Sequence, residues 1–174
     1  MLHNVRARLT ASIGSLAIVT VLLAGCLPAL RGDSIARGEW PSYGNDAGGT
    51  RYSPLTQIDR SNVGRLRIAW RRPVVAGEIS ASHPDLKFGN SRSTPLMVGG
   101  VLYTSTSLSQ VAAIDAATGE TKWVFDPKIY DNGLGMPANL GWLHRGVAYS
   151  KNGDDERIIM LTAFAQLYAL DAKT

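Results

Sequence analysis

Residues 101–118 read VLYTSTSLSQVAAIDAAT, and residues 157–174 read RIIMLTAFAQLYALDAKT, so that one pattern returns after 56 positions. Six of the 18 aligned pairs are identical, and several others pair one apolar residue with another. Self-similarity at a fixed spacing indicates a repeat architecture in which each copy folds as one supersecondary unit. The identical pairs are Thr106/Thr162, Gln110/Gln166, Ala113/Ala169, Asp115/Asp171, Ala116/Ala172 and Thr118/Thr174.

The first copy and its flanks contain four short strand signals rich in apolar and β-branched residues. Two of the connections are tight, because Gly99-Gly100 and the segment from Asp115 to Gly119 contain the residues that turns require. Four antiparallel strands in a repeat of roughly 50 residues are typical of a β-propeller blade. The sequence therefore predicts an all-β fold, with strands at Thr94–Val98, Val101–Ser105, Gln110–Ile114 and Thr121–Phe125.

Three residues around the turn of the repeat have predicted structural roles. We expect the carboxylate of Asp115 to accept backbone N–H groups just ahead of it, and Gly119 to adopt a positive φ. Trp123 follows Trp70 after 53 residues and is expected on an outer strand. There its broad ring would fill the gap between neighbouring blades.

Two further segments precede the repeat. Residues 40–58, WPSYGNDAGGTRYSPLTQI, are rich in Gly, Ser, Thr, Asn and Pro, which predicts extended and turn-rich structure. Residues 65–72, RLRIAWRR, alternate Leu66, Ile68 and Trp70 with polar residues or Ala, and this period of two predicts a half-buried strand. No stretch after the N-terminal segment shows helical periodicity.

The N-terminal segment has the composition of an export signal. Arg6 and Arg8 precede a mostly apolar run that is shorter than a membrane-spanning helix requires. The run ends in Leu23-Ala24-Gly25-Cys26, which resembles the lipobox of bacterial lipoproteins. This predicts a lipoprotein signal peptide over residues 1–25, acylation of Cys26 and a tether over residues 26–39, with an ordinary signal peptide as the alternative. The protein is then expected to be exported, periplasmic and anchored to the membrane by lipid at Cys26.

Composition limits the function classes. Apolar residues make up 45% of the chain and charged residues 18%, which indicates a globular protein. The formal net charge is +4, and it falls to +2 without Arg6 and Arg8. Because the net charge is small and the sequence contains no basic stripe, no nucleic acid partner is expected. Cys26 is the only cysteine, so no disulfide can form within the chain.

The segment from Ala113 to Trp123, AIDAATGETKW, resembles the AxDxxTGxxxW blade motif of pyrroloquinoline quinone (PQQ)-dependent dehydrogenases. The segment from Ala169 to Thr174 is similar to the same motif up to the position where Gly follows. Further similar segments are YGNDAGGTRYSPLTQI, NVGRLRIAW, STPLMVGGVLYT and RGVAY, so that the resemblance covers residues 40–174. Within the family, the pattern looks most like the glucose dehydrogenase-like branch.

This resemblance implies a ring of eight four-stranded blades, of which residues 40–174 supply about two, cut off within a repeat at Thr174. It implies PQQ and Ca2+ as cofactors and oxidation of a sugar or alcohol by hydride transfer to the quinone, with a quinone or cytochrome as electron acceptor. The catalytic base and the calcium ligands are expected beyond Thr174, and the fragment alone is expected to be inactive. The alternative function is a non-enzymatic, lipid-anchored propeller scaffold similar to outer-membrane assembly lipoproteins, because blade motifs and a lipobox fit both.

Arg145 is the cofactor-binding residue that the resemblance assigns, through the segment HRGVAY. In the family, the matching arginine lies beside the quinone oxygens, where a guanidinium donates two hydrogen bonds. The alternative is an arginine at the surface or between blades. Alcohol-oxidising members carry adjacent cysteines where this chain has Asn139 and Leu140, and a glutamate where it has Arg92. Both departures favour a sugar-oxidising enzyme.

Other polar residues have structural explanations. The run Asp154-Asp155-Glu156 lacks the alternating acidic spacing of a calcium loop and is expected in a solvated turn. His83 and His144 have no Cys or His at ligand spacing, so no metal site is predicted. If His144 and Arg145 share a strand, their side chains point to opposite faces. Residues 90–92, Asn-Ser-Arg, are expected either to face the cofactor or to form a turn.

Overall fold

The computed structural model describes residues 38–87, 92–137 and 141–174. The predicted signal peptide and Cys26 lie outside the described residues, as do most of the predicted tether and the positions Asn90, Ser91, Asn139 and Leu140. Within the described ranges there are seven strands: β1 (Leu96–Val98), β2 (Val101–Ser105), β3 (Val111–Asp115), β4 (Thr121–Phe125), β5 (Ala148–Asn152), β6 (Asp155–Leu161) and β7 (Leu167–Asp171).

Helical structure in the described part is limited to α1 (Gly77–Ser82) and to 3₁₀ turns at Val63–Arg65 and Ile129–Asp131. The sequence shows no helical periodicity at this segment, yet Gly77–Ser82 forms α1. This helix has fewer than two turns, too few to show a periodic apolar pattern in the sequence. Ile79 packs against the small apolar cluster of Leu108, Ile129 and Trp142, and such packing stabilises a helix this short. None of the helices described is both long and apolar enough to cross a bilayer.

Strands β1 to β4 form one antiparallel sheet in chain order. The first hairpin closes through Gly99-Gly100, whose φ values of 58° and 80° suit a type I′ turn. The four predicted strands are confirmed with small shifts of their ends. β1 begins at Leu96 and not at Thr94, because Pro95 has no N–H group to donate to the sheet.

Strands β5 to β7 form a second antiparallel sheet in chain order. The predicted repeat is confirmed, because the turn after β2 and the turn after β6 have the same geometry. The N–H of Thr106 donates to the carbonyl of Gln110 at 2.9 Å, and the N–H of Thr162 donates to the carbonyl of Gln166 at 2.9 Å. The residue before each glutamine has a φ of 59° in both turns. The equal spacing of Thr and Gln in the two copies of the repeat thus produces the same turn twice.

The main hydrophobic core lies between the two sheets. Trp123, on the outer strand β4, packs against this core, and its indole N–H donates to the carbonyl of Ala172 at 3.1 Å. The hydroxyl of Tyr103 donates to the same carbonyl at 3.0 Å. Trp123 therefore fills the space between neighbouring blades, as predicted. The buried core residues are Leu96, Tyr103, Val111, Ala113, Ile158, Met160 and Ala172.

Trp70 makes the equivalent contact one repeat earlier. Its indole N–H donates to the carbonyl of Ala116 at 3.1 Å, and its ring lies so close to Gly119 that a Cβ there would come within 2.6 Å of it. Gly119 has a φ of 77°, which confirms the predicted positive φ. The carboxylate of Asp115 accepts the N–H groups two and three residues ahead, each at 3.0 Å, as predicted.

The prediction of a strand at residues 65–72 is wrong. The segment forms no strand, and Leu66 and Ile68 are 54% and 65% exposed. An alternating pattern produces a strand only beside a neighbour that pairs with its backbone, and no described strand pairs with this segment. Side chains attach it to the first sheet: besides Trp70, Arg72 donates to the hydroxyl of Thr121 at 2.9 Å.

Candidate functional site

An open cleft of about 580 Å³ lies beside the start of β5, and two arginines line it. Arg92 lies just before β1, Arg145 lies three residues before β5, and both side chains are exposed. The structure thus brings Arg145, the predicted cofactor-binding residue, together with Arg92, where the chain departs from the pattern of the alcohol-oxidising enzymes. The other lining residues are Tyr43, Gly146 and Val147.

His144 supports the Arg145 segment from its buried side and is only 6% exposed. Its Nε2 lies 3.0 Å from the carbonyl oxygen of Leu161, and its Nδ1 lies 2.6 Å from Oγ of Ser105. A carbonyl only accepts, so Nε2 carries the proton, and Nδ1 accepts from Ser105 and from the N–H of Gly146 at 3.2 Å. Burial holds the pKa of His144 below its usual value, against the opposing effect of the bond to Leu161.

Ser93 extends this network to the Arg92 segment. The hydroxyl oxygens of Ser93 and Ser105 are 3.1 Å apart, and the N–H of Ser105 donates to Oγ of Ser93 at 3.3 Å. Gly146 packs closely against the Arg92 segment: a Cβ at position 146 would lie 3.4 Å from the carbonyl oxygen of Thr94. The chain of contacts from His144 through Ser105 to Ser93 therefore fixes the two arginine-bearing backbones relative to each other.

Tyr43 forms another side of the cleft and belongs to residues 40–58, which are free of helix and strand apart from one isolated bridge, as predicted. Arg51 donates to the Tyr43 hydroxyl at 2.8 Å, and its guanidinium carbon lies 4.9 Å from the ring centroid. Among the described residues, no Asp or Glu lines the cleft, and neither Arg92 nor Arg145 forms an ion pair with a carboxylate. The cleft therefore carries an excess of positive charge.

This set of donors fits an anionic, oxygen-rich group. A guanidinium presents several N–H donors in a plane and binds a carboxylate or a pair of oxygens with two parallel hydrogen bonds. PQQ, which carries quinone oxygens and carboxylates, is such a group. The described ranges contain no cluster of three or more His, Cys, Asp or Glu side chains placed to hold a metal ion.

The other polar candidates lie at the sheet ends and beside α1. Asp154 lies in the turn between β5 and β6, as predicted, while Asp155 and Glu156 begin β6 and pair with cationic side chains of the same hairpin. His83 follows α1, and its Nε2 lies 2.6 Å from a carboxylate oxygen of Asp131. This pair lies apart from the arginine cleft, beside a separate hollow of about 430 Å³.

Sequence reasoning missed the contribution of His144 and its serine partners. The expectation that His144 and Arg145 point to opposite faces depended on a shared strand, and residues 141–147 form none. A lone histidine has no partner at a recognisable spacing, and Ser105 lies 39 residues away in the chain. Only the fold brings these side chains together, so no local pattern predicts the network.

A family model described as "Glucose/ethanol/alcohol dehydrogenase, beta-propeller domain" of the PQQ type matches residues 40–174. The quinone alcohol dehydrogenase, dehydrogenase subunit, of Gluconobacter oxydans (strain 621H) is 40% identical over 138 residues, which are 79% of this chain and 16% of that protein. Quinoprotein glucose dehydrogenase A of Acinetobacter calcoaceticus is 39% identical over 95 residues, 55% of this chain and 12% of that protein. The crystal structure of quinohemoprotein alcohol dehydrogenase from Comamonas testosteroni matches with a TM-score of 0.56 and 32% identity, over 81% of this chain and 20% of that one.

These similarities support the fold and cofactor predictions together. The chain spans no more than a fifth of the length of each of these three relatives, as expected for about two blades of a larger propeller. Membership of the family implies PQQ and, with it, calcium. Alcohol and glucose dehydrogenases match at 40% and 39% identity, so similarity does not choose between the two substrates. The chain therefore belongs to the PQQ-dependent glucose, ethanol and alcohol dehydrogenases, as part of their β-propeller domain.

Proposed function

We propose that the complete protein oxidises a sugar or alcohol with PQQ as the hydride acceptor and passes the electrons to a quinone or cytochrome. The observation that carries the proposal is the exposed side chain of Arg145 on a cleft with an excess of positive charge. A sugar is the favoured substrate, because Asn139 and Leu140 stand where alcohol-oxidising members have adjacent cysteines, and Arg92 stands where they have a glutamate. When bound, PQQ supplies the two-electron acceptor.

Arg145 would hold the quinone oxygens of the cofactor with two hydrogen bonds from its guanidinium. Donors placed there would stabilise negative charge on those oxygens more in the transition state than in the ground state. His144 holds the arginine segment through an uncharged ring, and therefore adds no competing charge beside the guanidinium. The catalytic base and the calcium ligands are assigned to no described residue.

We expect Arg145→Ala, in the complete gene product saturated with PQQ and Ca2+, to lower kcat about 100- to 1,000-fold, because one preorganised donor is lost. Arg145→Lys recovers only part of the rate, since an ammonium makes no planar two-point contact. Arg92→Ala is expected to have a smaller effect on kcat. The assay is PQQ-dependent dye reduction with glucose and with short alcohols.

Three results would count against this assignment. A near-normal kcat in Arg145→Ala returns the residue to a structural role. Turnover of short alcohols in preference to glucose contradicts the sugar assignment alone. Failure of the wild-type protein to bind PQQ or reduce the dye favours the non-enzymatic scaffold.

We also propose that the protein is exported and held at the periplasmic side of a membrane by lipid on Cys26. The support is the sequence Leu23-Ala24-Gly25-Cys26 after a basic and apolar segment. Mass spectrometry of the mature N-terminal peptide tests this: an acylated Cys26 is the expected product, and a free thiol or an N-terminus at another residue contradicts it.

A further inference from the structure

The ring of His144 bridges equivalent points of the two copies of the repeat. Ser105 is the last residue of β2 and Leu161 is the last residue of β6, and the 56-residue spacing aligns these two positions with each other. Nδ1 lies 2.6 Å from Oγ of Ser105, and Nε2 lies 3.0 Å from the carbonyl oxygen of Leu161. The two strands belong to different sheets. The residue directly before Arg145 is therefore held by both sheets at once.

The hydrogen bonds of this bridge require an unprotonated Nδ1. The carbonyl of Leu161 only accepts, so Nε2 carries the proton of the neutral ring, and Nδ1 accepts from the hydroxyl of Ser105. The N–H of Gly146 also donates to Nδ1, at 3.2 Å. Arg145 thus lies between the histidine and the glycine that binds to its ring. A proton on Nδ1 would turn this acceptor into a donor, and both contacts that depend on it would be lost.

The charged groups on the segments that pack around the ring are both positive. Arg145 follows His144 in the chain, and the segment that packs against Gly146 carries Arg92. Among the described residues, His144 forms no ion pair with a carboxylate that would offset a positive charge on its ring. The titratable groups of the two bridged strands lie away from the ring. On β2 this is Tyr103, whose hydroxyl donates to the carbonyl of Ala172, and on β6 these are the first three residues, Asp155, Glu156 and Arg157.

We propose that His144 is a positioning residue for the oxidation: its neutral ring sets the place of Arg145 relative to the cofactor, and its protonation releases the arginine segment and weakens cofactor binding. This inference rests on the proposed function, which assigns Arg145 to the quinone oxygens. His144 is buried, with 6% of its surface exposed, and acts only through its neighbour. Burial holds the pKa of His144 below its usual value, so the release belongs to acidic solution.

The test is a calorimetric titration of the PQQ-free complete gene product with PQQ in the presence of CaCl2, over a pH series from about 8 to about 5. His144→Gln replaces the ring with an amide that can still donate to Leu161 and does not titrate. Ser105→Ala removes the hydroxyl that donates to Nδ1. His83→Gln is the comparison variant, because it removes an imidazole beside Asp131 and away from the cleft.

We expect acidification to raise the Kd of the wild-type protein for PQQ about 10-fold more than that of His144→Gln, because only the wild type gains a proton at this site. In Ser105→Ala the loss of affinity begins at a higher pH, since a hydrogen bond that favours the neutral ring is missing. His83→Gln keeps the wild-type pH dependence. In the Arg145→Ala background, His144→Gln has no further effect on the Kd, because the effect passes through Arg145.

Each other result counts against a defined part of this inference. Equal pH dependence in the wild type and His144→Gln, with PQQ bound by the wild type, overturns the positioning role and leaves the proposed function intact. Tighter binding by the wild type at low pH overturns it as well, because the imidazolium then attracts the anionic cofactor and does not release Arg145. An undiminished effect of His144→Gln in the Arg145→Ala background overturns the route through Arg145.

Two further measurements keep the test decisive. Circular dichroism at each pH shows whether a variant is folded, and if His144→Gln is not, the pH dependence of Ser105→Ala against that of the wild type decides: an unchanged midpoint overturns the positioning role. A wild-type protein that binds no PQQ at any pH overturns the proposed function, and this inference with it.

Discussion

His144 has to remain uncharged for the arginine cleft to keep its geometry. Its Nδ1 accepts hydrogen bonds from Ser105 and from the N–H of Gly146, and a proton on Nδ1 would leave that N–H facing another donor. Protonation would also place a second positive charge directly beside Arg145. Burial already lowers the pKa of His144, so the folded state favours the neutral ring.

The lowered pKa makes stability depend on pH. Since the unfolded chain binds the proton more tightly, the stabilisation is complete above the usual histidine value of about 6.5 and is lost as the pH falls through the folded pKa. We expect the Tm of the wild-type protein to fall more steeply than that of His144→Gln as the pH is lowered from about 7.5 to about 5. His83→Gln, which changes a half-buried histidine beside Asp131 and away from the cleft, is the comparison variant for loss of an imidazole elsewhere in the protein. Parallel curves for wild type and His144→Gln contradict the neutral, buried ring.

The two arginines differ in how far the sequence predicted them. Arg145 lies in a short family motif, HRGVAY, and the structure places its exposed side chain on the cleft. Arg92 was open to two interpretations, because its neighbourhood depends on how residues 92–94 pack against residues 144–146. That packing follows from the close approach of Gly146 to Thr94, which no pattern within either segment encodes.

At the scale of the element, the turn between β3 and β4 is specified by its glycine in two ways. Gly119 supplies a positive φ of 77°, and its missing side chain leaves space for the ring of Trp70. Gly100 has nearly the same φ, 80°, but no heavy atom within 4 Å of its virtual Cβ. Substitution at these two positions therefore separates the free-energy cost of the backbone conformation from the cost of crowding by the added side chain.

We expect Gly100→Ala to lower the free energy of unfolding by about 1 kcal/mol, the conformational cost alone. Gly119→Ala should cost a further 1–3 kcal/mol or so, because its methyl group would overlap the Trp70 ring. Urea unfolding of both variants measures the difference. Equal losses in the two variants would show that the indole moves aside without cost.

The strands of the repeat were predictable because each one carries its own signal and a turn that closes it. The segment at residues 65–72 carries the same alternation of Leu66, Ile68 and Trp70, but the described sheets offer it no neighbour. A strand forms only where its backbone pairs with a neighbouring strand, and the sequence of one segment does not show whether such a neighbour exists. The sequence did not predict α1 for a different reason: Ile79 is held by long-range packing and does not belong to a periodic apolar face.

At the scale of the whole molecule, the outermost strands of both sheets have open sides within the described residues. β4 pairs only with β3, and β7 pairs only with β6. Apolar side chains on these strands are exposed, among them Val124 (53%) and Leu167 (70%). Unpaired strand edges with apolar side chains are templates for association with another chain.

We therefore predict that the 174-residue chain by itself self-associates and binds no PQQ, because blades depend on their neighbours for a buried face. Sedimentation velocity should show species larger than the monomer, and equilibrium dialysis with PQQ and Ca2+ should show no retained cofactor. The complete gene product is the positive control. A monodisperse chain that binds one PQQ tightly would show that two blades suffice.

The tryptophan contacts also bear on how such a protein changes over evolutionary time. Each indole and the carbonyl that it binds belong to successive copies of the repeat, Trp70 with Ala116 and Trp123 with Ala172. Excision of residues 101–156 would bring Ala172 to the position that Ala116 held, and Trp70 would again have its acceptor. Recombination between the repeated segments can thus add or remove whole copies in frame, whereas a deletion between an indole and its carbonyl that is not a whole copy long moves the carbonyl out of place.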